Sequence, residues 1–487
     1  MLSILMRFNY NGLLLLLLFT HTVALMLPKG NTRLSPTDNF VRVIGSINPD
    51  DTIVTYINGT VYGKLGDQPL IPLFWMEGYN INRKEPQKDG SYLSLSREFL
   101  VYREFKTRQI LDVYENVFTQ KSNEVFPISN DPVNGQIPAN TNVPMWNVTG
   151  DFLAYYDTNY ILEYPNPMNP KEYPLFSAAE IYDAAELFTY YFKRSDIVNT
   201  SKSNVPNIVT WSRRCQFLPW MEMGQTNGSL FYAALSWKCT NGLSCVAKDI
   251  LYLISTKYPV FLSAPKTYEV PNETSWTVFK SIIDARRRQH LPDIIIPQVN
   301  ITQNVSITDA YIDYRVQNML LQSPHNLNFE AIVLTEIYGQ VSEKLFGIKG
   351  NAFIKARRDS TTNNLQMYLY LNGIFLDPIT NEPIKKWLVP ILNVTVDVPA
   401  FTLDDTINLG KDNSYTTIIP VDDSIGLTIA FGANSTQEVH IINFIFNEID
   451  VPEGNRNIFG TYHRFSGWFP WMKMDNWPGT VIIKAIM

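Results

Sequence analysis

Residues 52–63 read TIVTYINGTVYG, with β-branched and aromatic side chains interleaved with small and polar ones. Such a run fits a pleated, half-buried strand better than a helix, because branched and aromatic groups crowd the preceding helical turn. The same texture flanks it in VRVIGSI (41–47), FLVYREF (99–105) and QILDVYE (109–115), all read as strands. NPDD (48–51), KDG (88–90) and TRQ (107–109) supply the connections. It returns in the distal part as EAIVLTEIYGQV (330–341), NAFIKAR (351–357), LQMYLYLNGIFL (365–376), LVPILNVTV (388–396), GLTIAFG (426–432) and TVIIKAI (480–486).

Two stretches carry helical spacing instead. SAAEIYDAAELFTYYF (177–192) offers Ser177 as N-cap, Glu180 for a capping box and a stripe of Ile181, Ala184, Leu187 and Phe188. SWTVFKSIIDARRRQ (275–289) offers Ser275 as N-cap, a face of Val278, Ile282 and Ile283, and a basic, solvated C-terminal end. The prolines of IPANTNVPMW (137–146) and YPNPMNPKEYP (164–174) mark shaped loops, since the residue before a proline is driven to extended geometry. The expected fold is mainly β with a few helices, in two related barrel-like or strongly curved antiparallel sheet halves. The halves span 38–290 and 319–487, joined by a proline-bearing linker at 291–318.

The two halves share landmarks. NEVFPISNDPV and NEPIKKWLVPILNVTV both set Asn-Glu before Pro-Ile or its near equivalent, with the asparagines 258 residues apart. The apolar runs closing on Asp196 and Asp450 stand 254 apart, and the two Pro-Trp-Met segments, at 219–221 and 470–472, 251 apart. Three collinear matches at nearly one offset indicate a diverged duplication. Trp220, Trp471 and the neighbouring methionines are read as fillers that plug a core where a strand begins.

The chain opens with Arg7 followed by the apolar run Leu13–Phe19 and small residues at Thr22 and Ala24. This is the layout of a signal peptide over 1–24, too short for a span of about 20 residues. Asn58, Asn147, Asn199, Asn227, Asn272, Asn300, Asn304, Asn393 and Asn434 all head Asn-x-Ser/Thr sequons. A secreted, extracellular glycoprotein with no integral membrane contact is therefore expected. Of three cysteines, Cys239 and Cys245 can close a short loop, leaving Cys215 as a buried apolar residue. A net charge of −6 without a long basic run argues against nucleic acid.

Six ordered segments of the first half resemble the motif series of the DUF1838 family. They are FVRVIGSINPDDTIVTYINGTVYG, SREFLVYRE, NDPVN, EYPNPM, TWSRRCQFLPWMEMG and NETSWTVFK, and the likeness covers about residues 38–290. That domain of unknown function, found in bacteria and fungi, implies no activity and transfers no catalytic residue. Cys215 stands where its motif usually has a small or apolar residue.

Signatures of common chemistry are missing: no Gly-x-Ser-x-Gly, His-Glu-x-x-His, phosphate loop or dinucleotide fingerprint. No cofactor and no metal are expected, since His290, His325, His440 and His463 have no ligand-type spacing. His463, beside Arg464, is the histidine to watch. A polar cluster in an aromatic-lined cavity is the sharper possibility. Its candidates are Arg214, Glu163, Glu186, Tyr164 and Trp220, with Arg214 facing the cavity and Arg213 and Arg464, the duplicated arginines, doing equivalent structural jobs. Barrels of this kind hold apolar ligands. The leading expectation is a secreted protein that binds a small hydrophobic molecule, with isomerisation or cyclisation as its catalytic form. A carbohydrate-binding or carbohydrate-active protein and a non-catalytic extracellular interaction protein are the alternatives.

Overall fold

The computed structural model describes residues 34–147, 153–297, 321, 325–337, 340–389, 392–409, 414–421, 424–432, 438–447, 458–475 and 479–487. The expected signal peptide and most of the expected linker lie outside these residues, as do the sequons at Asn300, Asn304 and Asn434. About half of the described chain is strand.

Helix α1 (Pro36–Ile44) precedes the first sheet. That sheet contains β1 (Ile53–Leu65), β2 (Ile71–Pro86) and β3 (Tyr92–Arg103); the side hairpin β4 (Val113–Glu115) and β5 (Ser122–Glu124) follows. The short β6 (Ile128–Asn130), β7 (Gly135–Ile137) and β8 (Met145–Asn147) lead to β9 (Leu153–Pro165) and β10 (Ile181–Lys193). Helix α2 (Arg194–Val198), β11 (Ile208–Cys215), β12 (Gly228–Lys238), α3 (Lys248–Lys257) and α4 (Ser275–Arg288) complete this half. The second half comprises β13 (His325–Ile337), β14 (Gln340–Arg358), β15 (Leu365–Leu376), the hairpin β16 (Lys386–Val389) and β17 (Val394–Asp397), and β18 (Phe401–Asn408). Then come β19 (Ser414–Val421), β20 (Ser424–Gly432), β21 (Val439–Asn447), β22 (Ile458–Ser466) and β23 (Thr480–Ile486).

The strand orders are β6-β3-β2-β1-β12-β11-β10-β9-β8, with β7 also on β3, and β18-β15-β14-β13-β23-β22-β21-β20-β19. Every pairing is antiparallel, and in each half the last strand returns beside the first. The first sheet is large and curved, and the second is nearly closed into a barrel. Glycines permit the curvature. A Cβ on Gly78 would stand 2.1 Å from the Phe99 carbonyl oxygen, and one on Gly350 2.0 Å from that of Asn372. Only a residue without a side chain lets neighbouring strands coil so closely.

Both Pro-Trp-Met segments form a single 3-10 turn with Pro at its start, ending on a left-handed residue, Glu222 (φ 55°) or Lys473 (φ 57°). Trp220 is 3 % exposed and packs on Phe74, Tyr102 and Tyr114, while Trp471 packs on Phe346, Phe375 and Trp387. Cys239 and Cys245 form a disulfide, and Cys215 is a buried free thiol.

Several local expectations are corrected. The segment at 177–192 is mostly strand β10, not a helix. It is covered on both faces: Tyr182, Ala184 and Phe192 point one way, Ala185, Leu187 and Tyr191 the other. A strand buried on both sides reads as a continuous apolar run, which periodicity cannot tell from a helix. VRVIGSI is not a strand, because its first four residues end helix α1. Ser35 accepts from the Asp38 amide, Asp38 answers on the Ser35 amide, and Pro36 opens the first turn. That cap outweighs the β preference of Val41 and Val43. Helix α4 is capped by Thr274, not Ser275, and buries Trp276, Phe279 and Ile283. Its basic end is not simply solvated, since Arg286 pairs with Glu124 at 2.8 Å.

The two sheets pack against each other. Tyr62, Leu187, Phe231 and Ala233 of the first meet Val439, Ile441, Phe465 and Ile482 of the second. Thr60 bonds Thr417 at 3.0 Å, Asn443 donates to Ser212 at 3.2 Å, and buried Lys484 pairs with Asp157 at 2.5 Å.

Candidate functional site

Along β2 and β3 the inward positions are unusually polar: Asn80, Asn82 and Lys84 on one strand, Ser94, Ser96 and Glu98 on the other. Asn80 pairs with Glu98, Asn82 with Ser96 and Lys84 with Ser94, so they form one ladder. Alternation sends Tyr79, Ile81, Phe99 and Val101 to the opposite face, where α3 covers them. Asn82 donates to Asn80 at 3.1 Å, Lys84 to the Ser94 hydroxyl at 2.6 Å, and Asn130 to Glu98 at 3.0 Å.

The facing wall is aromatic. Phe188 stacks on Trp211 with centroids 5.9 Å apart and planes 5° apart, and it also meets Tyr160 and Tyr190. Trp211 in turn lies against Tyr232. Arg213 rises from this wall, pairing with Glu186 at 2.9 Å and donating to the Tyr182 hydroxyl at 2.5 Å.

Five strand steps separate β3 from β10 in the sheet order, about 24 Å if the sheet were flat. Yet Glu98 on β3 feels the charges of Glu186 and Arg213. Curling has brought the two walls face to face. Burial, reinforced by the Glu186 charge and opposed by Arg213, pushes the Glu98 carboxyl up to about 7. Glu98 thus has a raised proton affinity near Glu186, which Arg213 holds while also donating to Tyr182. Trp276 of α4 packs on Tyr182 toward one end of this face and Trp220 on Tyr102, while Phe40 of α1 packs on Tyr156 toward the other. Between them Glu98, Tyr160, Glu186, Phe188, Tyr190 and Arg213 keep some accessible surface. The Trp211 indole nitrogen and the Arg213 Nε are buried and have no hydrogen-bond partner among the described residues.

Of the residues singled out from sequence, Glu186 and Tyr164 lie on this inner face, Tyr164 with its ring 4.9 Å from that of Tyr182. Trp220 plugs one end. Arg214 and Glu163 do not join them. Successive residues of a strand point to opposite faces, so Arg214 turns outward and pairs with Asp183 at 3.0 Å, directly across from Glu163. Arg213, expected to do a structural job equivalent to that of Arg464, is the inward arginine.

The second barrel is filled by an apolar core including Phe329, Met367, Leu369 and Phe444. One polar group interrupts it. Glu438 pairs with Arg464 at 2.5 Å and with His440 Nε2 at 2.8 Å, and His440 Nδ1 lies 2.8 Å from the Tyr462 hydroxyl. His463 lies on the other face of β22, wholly buried, with both ring nitrogens unpartnered among the described residues. Burial, then the Lys484 charge, drives its basicity well down. No three His, Cys, Asp or Glu side chains gather as a metal site among the described residues. No described helix is long and apolar enough to cross a membrane, which says nothing of strands.

Residues 50–283 match the family model described as protein of unknown function, DUF1838. Over these residues the chain is similar to the DUF1838 family. All of the polar ladder and the aromatic wall fall within the DUF1838 region; β13–β23 lie beyond it. No curated protein matches. Solved structures with some likeness include CdiB from Acinetobacter baumannii, at 8 % identity and TM-score 0.16, covering 89 % of this chain and 59 % of that one. Another is Pseudomonas aeruginosa OccK11 (OpdR), at 7 % identity and TM-score 0.16, covering 91 % and 95 %. At such scores neither informs fold or function.

Proposed function

We propose that this is a secreted glycoprotein whose DUF1838 half binds a small, largely hydrophobic molecule between the polar ladder and the aromatic wall. The observation carrying this reading is the juxtaposition of Glu98 with the Arg213–Glu186 pair on an enclosed aromatic face. A filled core has no use for an acid held near neutrality, whereas a ligand with one polar group does. In a catalytic form, Glu98 donates a proton to the bound molecule and Glu186 stabilises the charge that develops, an arrangement suited to isomerisation or cyclisation. Secretion is supported by the disulfide, by the signal-peptide pattern and by exposed sequons at Asn199, Asn227 and Asn393. Asn58 sits mid-strand with its Oδ1 buried, which makes it a poor acceptor.

The test is native mass spectrometry of secreted protein followed by organic extraction. An adduct lost on extraction, and absent from Trp211→Ala protein that still folds, is the expected result. Bare protein from every expression host would overturn the reading. A second reading, carbohydrate hydrolysis, takes its support from the same two carboxyl groups, Glu98 with its proton affinity raised and Glu186 paired with Arg213. Release of reducing sugar from oligosaccharides, abolished by Glu98→Gln, would favour it.

A further inference from the structure

Lys84 is the charged member of the polar ladder that the reading above leaves unused. Its side chain is on the inner face and 5 % exposed, and its acceptor among the described residues is the Ser94 hydroxyl. An ammonium has three protons to place, and a buried one without a counter-charge is strongly disfavoured. No carboxylate pairs with it among the described residues, and the neighbouring cation, Lys238, has the same lack. Lys238 is nevertheless satisfied, because it donates to the Arg42 and Gly45 carbonyls at 2.7 Å each. The imbalance therefore falls on Lys84.

The position is built to hold a long cationic side chain. A Cβ on Gly45 would stand 2.7 Å from Lys84 Cε and 2.8 Å from Cγ, so glycine at the end of α1 leaves the channel for the lysine stem. Helix α1 then places Lys84 at one end of the wall. Gly45, at the end of that helix, lies against the Lys84 stem, while Tyr190 packs on the cluster that Phe40 and Val43 of the same helix form with Tyr156 and Phe192. Lys84, cross-strand from Ser94, thus sits at the α1 end of the aromatic wall formed by Tyr160, Phe188 and Tyr190.

We infer that Lys84 anchors the anionic head of the ligand, a carboxylate whose apolar body lies along Tyr160, Phe188 and Trp211. This rests on the proposed binding function and narrows it from a hydrophobic molecule to an amphipathic acid. The carboxylate takes the ammonium protons that the protein leaves unplaced, and its apolar part is covered by rings. Glu98 and Arg213 then act at a point along the body, not at the head.

The experiment measures binding by quenching of tryptophan fluorescence for two matched pairs: dodecanoate with dodecan-1-ol, and 3-phenylpropanoate with 3-phenylpropan-1-ol. In at least one pair the acid should bind tenfold or more tighter than its alcohol. Lys84→Met should abolish that difference while leaving alcohol affinity within about twofold. Removing a buried charge favours folding, so the variant should remain soluble, and an unchanged melting temperature or a higher one verifies this. Lys84→Arg, which keeps the charge, should retain part of the preference. Acid and alcohol binding equally well, or a preference that survives in Lys84→Met, would overturn the anchor and leave the binding site standing. If none of the four compounds binds, the binding site itself is refuted, and the anchor with it.

Discussion

Glu98 shows at the residue scale how a fold turns an ordinary side chain into an acid. Its folded-state affinity for protons is raised from the usual 4.5 to about 7, so ionisation is opposed in the folded protein and free in the unfolded one. The sign follows: stability is greatest below about 4.5, declines as pH climbs to about 7, and then levels off. The groups facing it are Glu186, Arg213 and Asn130. Glu98→Gln removes this term, so its stability advantage should open between pH 4.5 and 7, by at most about 3 kcal/mol. Urea melts of both proteins at four pH values measure it, and a constant difference would refute the assignment. Gly78→Ala is the opposite kind of change, forcing a methyl into the Phe99 carbonyl. It should cost about 3 kcal/mol and lower the thermal midpoint accordingly. Some of this was legible from sequence: Glu186 and Tyr164 stood out among the aromatics they pack with. Glu98 did not, because its partners lie five strands away and meet it only once the sheet curls. The choice between Arg213 and Arg214 turned on parity alone, and a slip of one residue exchanges inside for outside.

Elements were readable where local chemistry dominates and misread where burial does. The capping box at Ser35 and Asp38 was present in the sequence and defines α1 against its β-branched residues. Strand β10 had no such mark, since being covered on both faces erased its alternation. A further signal went unused. Glu104–Gln109, Asn116–Lys121, Asp359–Asn364 and Asp377–Glu382 all begin with an acid or asparagine, carry threonine fourth and place a left-handed residue fifth. The first side chain accepts from the amides of the third and fourth residues, as Asp377 does from Ile379 at 2.9 Å and Thr380 at 2.7 Å. Four uses of one turn let short sequences fix where strands reverse. The left-handed ends of the Pro-Trp-Met turns can be tested in the same terms. Lys473, at φ 57°, is exposed, so Lys473→Gly should raise stability by about 1 kcal/mol. A loss in calorimetry would show that the lysine side chain has a role its backbone does not explain.

At the scale of the molecule, the repeated strand order and the paired Pro-Trp-Met turns fit descent of both halves from one duplicated unit, which we propose. The strands carry the correspondence to single residues: Glu186 opposes Arg213 in β10 and β11, and His440 opposes Arg464 in β21 and β22. Glu186 and His440 stand 254 residues apart, the offset read from the flanking apolar run, although Arg464 pairs with Glu438 and not with His440. The halves have since diverged in their interiors, one lined with polar and aromatic groups and the other packed with aliphatic and aromatic ones. What keeps them together is the face each turns to the other. Tyr62, Leu187 and Phe231 would be bared by separation, and Lys484 would lose Asp157 along with the Thr158 and Phe188 carbonyls it reaches at 3.1 and 2.9 Å. An apolar seam with a buried ion pair resembles a divided core more than a contact between independent domains. A protease site inserted between residues 297 and 321 should therefore give fragments that co-elute as one particle after cleavage. Lys484→Ala should weaken that association by leaving half-buried Asp157 with the Thr189 hydroxyl but no counter-charge, a change of about 2 kcal/mol. Fragments that separate on gel filtration without denaturant, with the first still soluble, would mean the halves fold and persist alone.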